Sequence, residues 1–379
     1  MSDKNMIQLF SNSLGKKELD AVKRVFSSKW VGRGHECRSF ENEFGAMVSS
    51  RNVLLLNNCT SGIYLALRLL GVGKNDEVII ATVNFVAVAN AVIDAGAKPV
   101  FADVDRRYFN IMPGDIERLK TRRTKAVIIL HYGGHPVDYD GLSAACGKGI
   151  CVIEDAANAI VSKYKNKNCG TLGDAGLFSF DAMKPLCMTD GGVLILRDSN
   201  IFEDAKSMRY LGFPEKSASG IDSMRNRKAR WWEFDLKHTS GRFISNDCAA
   251  AIGRVQLKRL PGFIKRRKNI WEFYQKELGN IPGIETPPEP LPDTETSYYM
   301  YWIKMKRGRD KLAGYLVRKN IYCTFRYFPL HMVPYYGYKL RLPNAENINN
   351  TALNIPLHQN LTDKEAHYVV ECIKDFFKK

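Results

Sequence analysis

The sequence lacks the features of a membrane-spanning or disulfide-rich protein. No run of about 18 apolar residues occurs, the length that a transmembrane helix needs, and no apolar stretch at the N-terminus is long enough for a signal peptide. The nine cysteines are odd in number and form no Cys-x-x-Cys pair. We therefore expect a cytoplasmic protein with reduced thiols, without a disulfide framework, a metal site or a membrane partner.

Acidic residues are scarce relative to basic ones. The 379-residue chain has 56 Lys and Arg against 40 Asp and Glu, a formal net charge of +16. Such a surplus attracts polyanions, which makes nucleic acid a candidate partner. The basic residues come in short groups, such as 122–125 and 225–230, and none lies in a known nucleic-acid motif. We expect no nucleic-acid partner and interpret the surplus as a solvated surface that suits an anionic small substrate.

Short apolar runs alternate with helical patterns over the first 200 residues. Runs such as 53–56 and 126–130 are typical of buried strands, and helix-like segments such as 85–96 separate them. Continuous apolar strands that alternate with helices predict an α/β fold, with a mostly parallel sheet covered on both faces. In such sheets the ligand site forms at the carboxyl ends of the strands.

The pattern changes near residue 250. Two helical segments, 248–259 and 264–278, precede a proline-rich break, and strand-like segments follow at 298–305 and 322–328. This order predicts a smaller α+β domain. We place a large domain at 1–250 and the small C-terminal domain at 251–379.

Two candidate groups follow predicted strands in the first half. Thr60-Ser61-Gly62 stands where a strand passes into a helix, and N–H groups at a helix start can hold a phosphate, although Thr and Ser are also ordinary helix caps. Asp155 ends the apolar strand near 151–154, where a buried carboxylate needs a cationic partner. A protonated pyridine nitrogen would be such a partner, and a helix cap is the alternative role.

A third group surrounds Lys184, which comes four residues after the apolar segment Phe178-Ser179-Phe180. Desolvation and a neighbouring cationic cofactor lower the pKa of a lysine. Its neutral amine is then a nucleophile that can form a Schiff base. Ser179 could donate to a phosphate. The glycine turn Thr189-Asp190-Gly191-Gly192 then leads back into a strand.

In their order along the chain, these parts resemble the DegT-type nucleotide-sugar aminotransferases, pyridoxal-phosphate (PLP) enzymes of fold type I. The resemblance covers nearly the whole chain. It also includes the segments 15–22, 30–34, 75–80, 96–105, 131–134, 327–331 and 353–358.

The resemblance implies roles for individual residues in holding PLP. The cofactor phosphate would be bound by the hydroxyl groups and backbone of Thr60 and Ser61, and by Ser179. Phe85 would stack on the pyridine ring. A segment of the neighbouring subunit would close on the phosphate, so that a homodimer shares its active sites.

It also implies the catalytic roles. Asp155 would pair with the ring nitrogen, Asn158 would reach the ring 3-hydroxyl, and Lys184 would carry the cofactor and move the proton. The implied reaction transfers an amino group from an amino acid, glutamate or glutamine, to a nucleotide-linked keto-deoxysugar in amino-sugar biosynthesis.

The chain departs from the family pattern at several positions. Asn158 replaces a Gln or His, Asp181 an aromatic residue or His, and Asp190 a Glu. The segment 241–246 differs from the usual Gly-x-Asn-x-Arg, so that either Arg242 or Asn246 could contact the partner's phosphate.

The sequence defines the residues that contact the substrate less well than those that hold the cofactor. The candidate contacts are Arg33, Trp232, Arg326 and His331. A keto-cyclitol aminotransferase, a PLP-dependent sugar dehydratase and a non-catalytic PLP-binding regulator remain as alternatives. The related dehydratases carry His at the lysine position, so Lys184 argues against that reading.

Overall fold

The computed structural model describes residues 6–214 and 233–378. Predictions for Trp232 and for the basic group 225–230 lie outside these ranges. The helices are α1 (Lys16–Ser27), α2 (His35–Val48), α3 (Cys59–Leu69), α4 (Val86–Asp94), α5 (Pro113–Leu119), α6 (Tyr139–Cys146), α7 (Ser199–Met208), α8 (Asp247–Leu278), α9 (Arg309–Arg318), α10 (Pro343–Thr351) and α11 (Asp363–Phe377). Short 3₁₀ turns occur at Tyr132–Gly134, Leu330–Met332 and Pro334–Tyr336.

The strands form three sheets. In chain order they are β1 (Val53–Leu56), β2 (Glu77–Ala81), β3 (Lys98–Ala102), β4 (Thr124–Leu130), β5 (Cys151–Asp155), β6 (Lys163–Tyr164), β7 (Lys167–Asn168), β8 (Ala175–Ser179), β9 (Gly192–Leu196), β10 (Ile284–Glu285), β11 (Thr294–Glu295), β12 (Tyr301–Met305) and β13 (Ala352–Ile355). The largest sheet has seven strands in the order β1-β9-β8-β5-β4-β2-β3, which puts β5 at its centre.

The large sheet confirms the predicted α/β architecture. Its five strands β3, β2, β4, β5 and β8 run parallel, whereas β9 pairs antiparallel with both β8 and β1. The middle residues of the parallel strands are apolar because helices cover both faces, and residues such as Ile79, Ile128 and Ile153 are fully buried. The carboxyl ends of β4, β5 and β8 consequently meet at one edge.

One predicted strand is wrong. Within the described part of the chain, residues 322–328 form no ladder and make a single bridge, between Thr324 and Asn354 on β13. The side chain of Asn354 accepts the N–H of Arg326 at 2.8 Å, so a side chain takes the place of the backbone partner that would extend the strand. The segment thereby leaves the small sheet β10-β12-β13 and runs along the edge of the cavity described below.

The two predicted helices 248–259 and 264–278 are one helix, α8, with Pro261 inside it. Its first turns pack with Ala249 and Ala250 in the core beneath the large sheet, and its last turns pack with Ile270 and Trp271 in the core of the small sheet. Packing at both ends compensates for the hydrogen bond that proline cannot make.

Helix α8 therefore runs through the predicted domain boundary at 250/251, which stays a prediction. Strand β11 also pairs with β6, so the C-terminal part of the chain adds a strand to a sheet of the N-terminal part.

All nine cysteines are free. Among the described residues, no helix combines the length and the apolar character that crossing a bilayer requires. His, Cys, Asp and Glu side chains do not gather into a metal-binding group in that part of the chain.

Candidate active site

A cavity of about 290 Å³ opens at the carboxyl edge of the large sheet. It brings together seven of the residues predicted from the sequence, although they are spread over 267 positions, from 60 to 326. These are Thr60, Phe85, Asp155, Asn158, Ser179, Lys184 and Arg326. The other lining residues are Asn58, Cys59, Ile63, Asn84, Leu130, Ala157, Asp181, Met183, Asp190, Tyr299 and Tyr327.

Asp155 lies at the base of the cavity because β5 is the central strand and ends there. The carboxylate is 4% exposed and accepts one backbone hydrogen bond, from Ala157 N at 3.0 Å. Burial raises the pKa of Asp155, although the Ala157 N–H and the nearby Lys184 lower it. A buried carboxylate with so few donors would be stabilised by a cation placed in the cavity.

Lys184 is carried by a loop that closes between β8 and β9. The loop is tied at its base, where Phe180 N donates to Gly191 O at 2.9 Å and Met188 N donates to Phe180 O at 3.0 Å. This geometry aims the lysine side chain back over the sheet edge, and Lys184 is 8% exposed.

The amine of Lys184 forms no ion pair with an acidic side chain of the described residues. Its hydrogen-bond partner is the hydroxyl oxygen of Tyr299, at 3.3 Å. Burial lowers the pKa of Lys184, but Tyr299, Tyr327 and Asp155 raise it more, and the net shift is upward. The lowered pKa expected of this lysine would therefore have to come from a cationic ring bound beside it.

The start of α3 forms one end of the cavity. Asn58 caps the helix by accepting Ser61 N at 2.8 Å, and the N–H groups of Cys59 and Thr60 have no partner inside the helix because they belong to its first turn. A Cβ on Gly192 would be 2.4 Å from Cys59 N, so glycine is required where β9 passes this turn. Oriented N–H groups at a helix start suit a phosphate.

Of the three residues predicted to hold a phosphate, Thr60 and Ser179 line the cavity. Ser61 lies in the same helical turn but is not part of the cavity lining, since its N–H points to Asn58. Asn58 and Cys59, which were not predicted, line the cavity at this helix start instead of Ser61.

The side walls are aromatic and amide groups. Phe85, at the start of α4, is 50% exposed, and its ring centre lies 5.9 Å from that of Tyr327. Asn158 is buried, and its Oδ1 accepts Gly133 N at 3.4 Å. The Nδ2 of Asn84 is buried without a hydrogen-bond partner among the described residues. Such an orphaned donor is costly unless a ligand satisfies it.

Asp181 and Asp190 make the cavity rich in carboxylates. Among the described residues, they and Asp155 outnumber the cations that line the cavity, Lys184 and Arg326. Burial raises the pKa of Asp190, and the neighbouring Asp181 raises it further, against the Gly191 N–H that lowers it.

Three predicted residues lie elsewhere. Arg33 pairs with Glu41 at 3.3 Å, and His331 is 3% exposed with its Nδ1 2.7 Å from Thr82 Oγ1. Asn246 is the N-cap of α8, and its side chain accepts Ala249 N at 2.9 Å. Arg33 and His331 do not line the cavity, and their contact with a substrate stays a prediction. Trp232 lies outside the described residues.

Arg242, the alternative to Asn246, is exposed, and its guanidinium lies 5.8 Å from the ring centre of Tyr210. Of the two, Arg242 has the side chain that is not engaged in a helix cap.

Sequence reasoning missed Asn84, Tyr299 and Tyr327 as lining residues. Tyr327 begins the segment 327–331, one of those that carry the resemblance, which was a usable signal. Tyr299 had none, because it precedes a strand of the small sheet that the chain reaches more than a hundred residues after Lys184.

Comparison with known proteins decides the family. The DegT/DnrJ/EryC1/StrS aminotransferase family profile matches residues 12–374. The chain belongs to this family.

Individual relatives match over almost their full length. The chain is 40% identical to a dTDP-4-dehydro-2,3,6-trideoxy-D-glucose 4-aminotransferase of Saccharopolyspora spinosa over 97% of this chain and 95% of that one. It is 30% identical to the GDP-perosamine synthase of Escherichia coli O157:H7, over 98% of each. The solved structure of the aminotransferase TlmJ from Streptoalloteichus hindustanus superposes with a TM-score of 0.92 at 41% identity, covering 98% of each chain.

The protein is therefore an aminotransferase of the DegT/DnrJ/EryC1/StrS family, with the fold-type I architecture and PLP as its cofactor. The cavity fits that cofactor on its own observations. It offers a buried amine, a buried carboxylate with unused acceptor capacity, and a helix start suited to a phosphate. Asn84 adds a donor without a partner.

Proposed function

We propose that the protein transfers an amino group from glutamate or glutamine to a keto group of a nucleotide-linked deoxysugar, in amino-sugar biosynthesis. The observation that carries this is the single cavity in which Lys184, Asp155 and the start of α3 meet. The relative from S. spinosa is named for amination at carbon 4 of a dTDP-linked keto sugar. We therefore propose a nucleotide-linked 4-keto sugar as the acceptor.

Lys184 and Asp155 are the proposed catalytic residues. Bound PLP supplies an electron sink and carries the amino group between the two substrates. Lys184 attaches the cofactor and moves a proton between the substrate carbon and the cofactor. Asp155 keeps the ring nitrogen protonated, which its burial favours because a buried carboxylate is stabilised by an adjacent cation.

The other cavity residues are proposed to bind the cofactor. Thr60 and Ser179 hold its phosphate, with Ser61 contributing to the same helical turn. Phe85 covers one face of the ring. Asn158 reaches the ring 3-hydroxyl, a contact that its Nδ2 can make while Oδ1 accepts the Gly133 N–H.

We further propose a homodimer with shared active sites. The phosphate end of the cavity lies close to Asp190. Burial raises the pKa of the Cys59 thiol most, Asp155 raises it further, and Asp190 is near enough to add to this shift. A phosphate dianion beside this carboxylate needs a cation, and Arg242 of the neighbouring subunit would supply it, with Asn246 as the alternative.

Arg326 is the proposed anchor for an anionic substrate group. It lines the cavity and makes no ion pair with an acidic side chain of the described residues. Its Nη2 contacts the sulfur of Met183 at 3.3 Å, and its guanidinium lies 5.1 Å from the ring centre of Phe10. The nine free cysteines agree with a cytoplasmic location, which stays a prediction.

The test uses the cofactor-loaded protein and both half-reactions. Glutamate or glutamine should bleach the visible band and release the keto acid, and a dTDP-linked 4-keto-6-deoxysugar should then restore the band and gain an amino group by mass. A regulator without turnover would do neither.

The acceptor class is tested by competition. The free keto sugar should be a very poor substrate, because binding of the nucleotide and diphosphate positions the keto carbon. Nucleoside diphosphates should inhibit, more weakly as ionic strength rises. Efficient amination of an uncharged keto-cyclitol, without inhibition by millimolar nucleoside diphosphates, would replace the nucleotide-sugar proposal.

A further inference from the structure

We propose that Tyr299 positions the amine of Lys184, an inference that rests on the proposed amine transfer at this cavity. Its hydroxyl oxygen is 3.3 Å from Lys184 Nζ, and the same nitrogen lies 4.6 Å from the centre of its ring. Tyr299 is 1% exposed and lines the cavity. Both contacts are therefore made where little water competes.

Tyr299 is itself held from three directions. The ring of Phe10 stacks on it with centres 5.3 Å apart and planes 14° from parallel. Its N–H donates to Gly133 O at 3.1 Å, and its carbonyl accepts Arg267 Nη1 at 3.2 Å. Since the N-terminal segment, the β4–α6 connection and helix α8 all fix it, the hydroxyl has a defined position before any ligand binds.

Burying the guanidinium of Arg267 beside Tyr299 costs free energy, because the charge loses its contact with water. The side chain is fully buried, has no acidic partner among the described residues, and shares Nη1 among the carbonyls of Tyr298, Tyr299 and Leu357. Burial lowers its pKa to about 10. A buried guanidinium on backbone carbonyls makes the segment that carries Tyr299 rigid.

The hydroxyl of Tyr299 and the carboxylate of Asp155 are alternative partners for the amine of Lys184. Asp155 is close enough to raise the pKa of Lys184, and attraction between the two charges would draw the amine toward the carboxylate. That would occupy the carboxylate that the cofactor ring requires. Tyr299 offers the amine another partner, and a hydroxyl can accept from an ammonium or donate to a neutral amine. It can therefore hold Nζ throughout the cycle of proton transfer.

The test compares Tyr299→Phe with a matched control, Tyr301→Phe. Tyr301 is also a fully buried tyrosine, two residues further on, and its hydroxyl donates to Gln275 Oε1 at 2.9 Å in the neighbouring core. Both changes remove one buried hydroxyl and keep the ring. Only the first removes a contact with Lys184.

Two readouts are measured on the cofactor-loaded proteins: the pH titration of the visible band without substrate, and the single-turnover rate with glutamate. Loss of an acceptor for the protonated nitrogen should lower the titration midpoint of Tyr299→Phe by about 0.5–1 pH unit. The single turnover should slow roughly 3- to 10-fold. Tyr301→Phe should match the wild type in both.

Phe10→Leu is the second variant, since it keeps the hydroxyl but removes the ring that fixes it. A smaller shift in the same direction supports the proposal. Unchanged midpoints in both Tyr299→Phe and Phe10→Leu overturn it, as does an equal shift in Tyr301→Phe. If the wild type reacts with neither glutamate nor glutamine, the proposed function fails instead, while the titration still tests the contact with Lys184.

Discussion

Glu154 and Asp155 are neighbours on the central strand, yet they face opposite sides of the sheet and have opposite surroundings. Glu154 is fully buried and accepts four hydrogen bonds, from Gly170 N, Leu172 N, Gly173 N and His131 Nε2, at 2.6–3.0 Å. Asp155 is 4% exposed and accepts one from the described residues, from Ala157 N. We call the Glu154 side the closed side and the cavity the open side.

The closed side is complete in itself. His131 Nε2 lies 3.0 Å from Glu154 Oε2, and its Nδ1 lies 3.2 Å from Val137 N, so both ring nitrogens have partners. On the open side, Asp155, Lys184 and Asn84 all keep unused hydrogen-bonding capacity. The difference teaches that a buried carboxylate is structural when the protein satisfies it, and is poised for a ligand when the protein does not.

The largest effect is expected from Lys184→Ala, which removes the amine of the open side. Amine transfer should fall to background, because no other lysine of the described residues lines the cavity. Borohydride reduction and peptide mapping of the wild type should place the cofactor on Lys184. Lys163→Ala, at an exposed pair with Glu295, is the control and should remain active. Labelling of a different lysine would refute the assignment.

Asp155→Asn should cost about 10²-fold or more in turnover, since an amide does not stabilise a protonated ring nitrogen. The melting temperature should change little, because the one backbone hydrogen bond can still be accepted by the amide oxygen. Near-normal turnover would show that Asp155 is only a cap for the following turn. Steady-state kinetics and thermal unfolding are measured on the same preparation.

Glu154→Gln should give the reverse result. An amide has one acceptor oxygen in place of two, which leaves N–H groups of 170–173 or the His131 Nε2–H without a partner, at a cost of about 1–3 kcal/mol in unfolding free energy. Activity per folded molecule should stay close to that of the wild type. If Glu154→Gln loses turnover without losing stability, the distinction between the two sides is wrong.

The open side is also expected to need a second chain. Lys184→Ala and the double variant Arg242→Ala/Asn246→Ala should each be inactive, and mixing them under conditions of subunit exchange should restore part of the activity. Restoration arises because one mixed site keeps both its lysine and its partner contact. A fully active monomer in dilute solution, measured by sedimentation, would contradict this.

The smallest effect concerns Arg326→Gln, which should raise a KM about tenfold with a smaller change in kcat. The substrate whose KM rises shows what Arg326 binds. A raised KM for the nucleotide sugar assigns Arg326 to the diphosphate, and a raised KM for glutamate assigns it to the donor carboxylate. Arg106→Gln, at a surface pair with Asn344, serves as the control. Unchanged KM values for both substrates would remove Arg326 from the substrate site.

Much of the fold was predictable because the large sheet is built from local patterns. The apolar runs, among them 53–56 and 126–130, are strands of this sheet, since strands buried on both faces are rich in apolar residues. The segment 322–328 looked equally strand-like but is not a strand, because the Asn354 side chain takes the backbone N–H of Arg326. The two helical segments predicted at 248–259 and 264–278 are one helix for a similar reason, since packing at both ends of α8 outweighs the local preference of Pro261.

The sequence by itself determined the chemical identities: a lysine, an aspartate and a helix start, each at the end of an apolar strand or just beyond it. Parallel strands bring their carboxyl ends to one edge, so these residues had to meet there. Only the tertiary structure decided which neighbours they have. Tyr299 reaches Lys184 from the segment that precedes β12 of the small sheet, and Glu154 rather than Asp155 receives the backbone N–H groups of 170–173. Such contacts depend on how distant segments pack, and no periodicity along the chain encodes them.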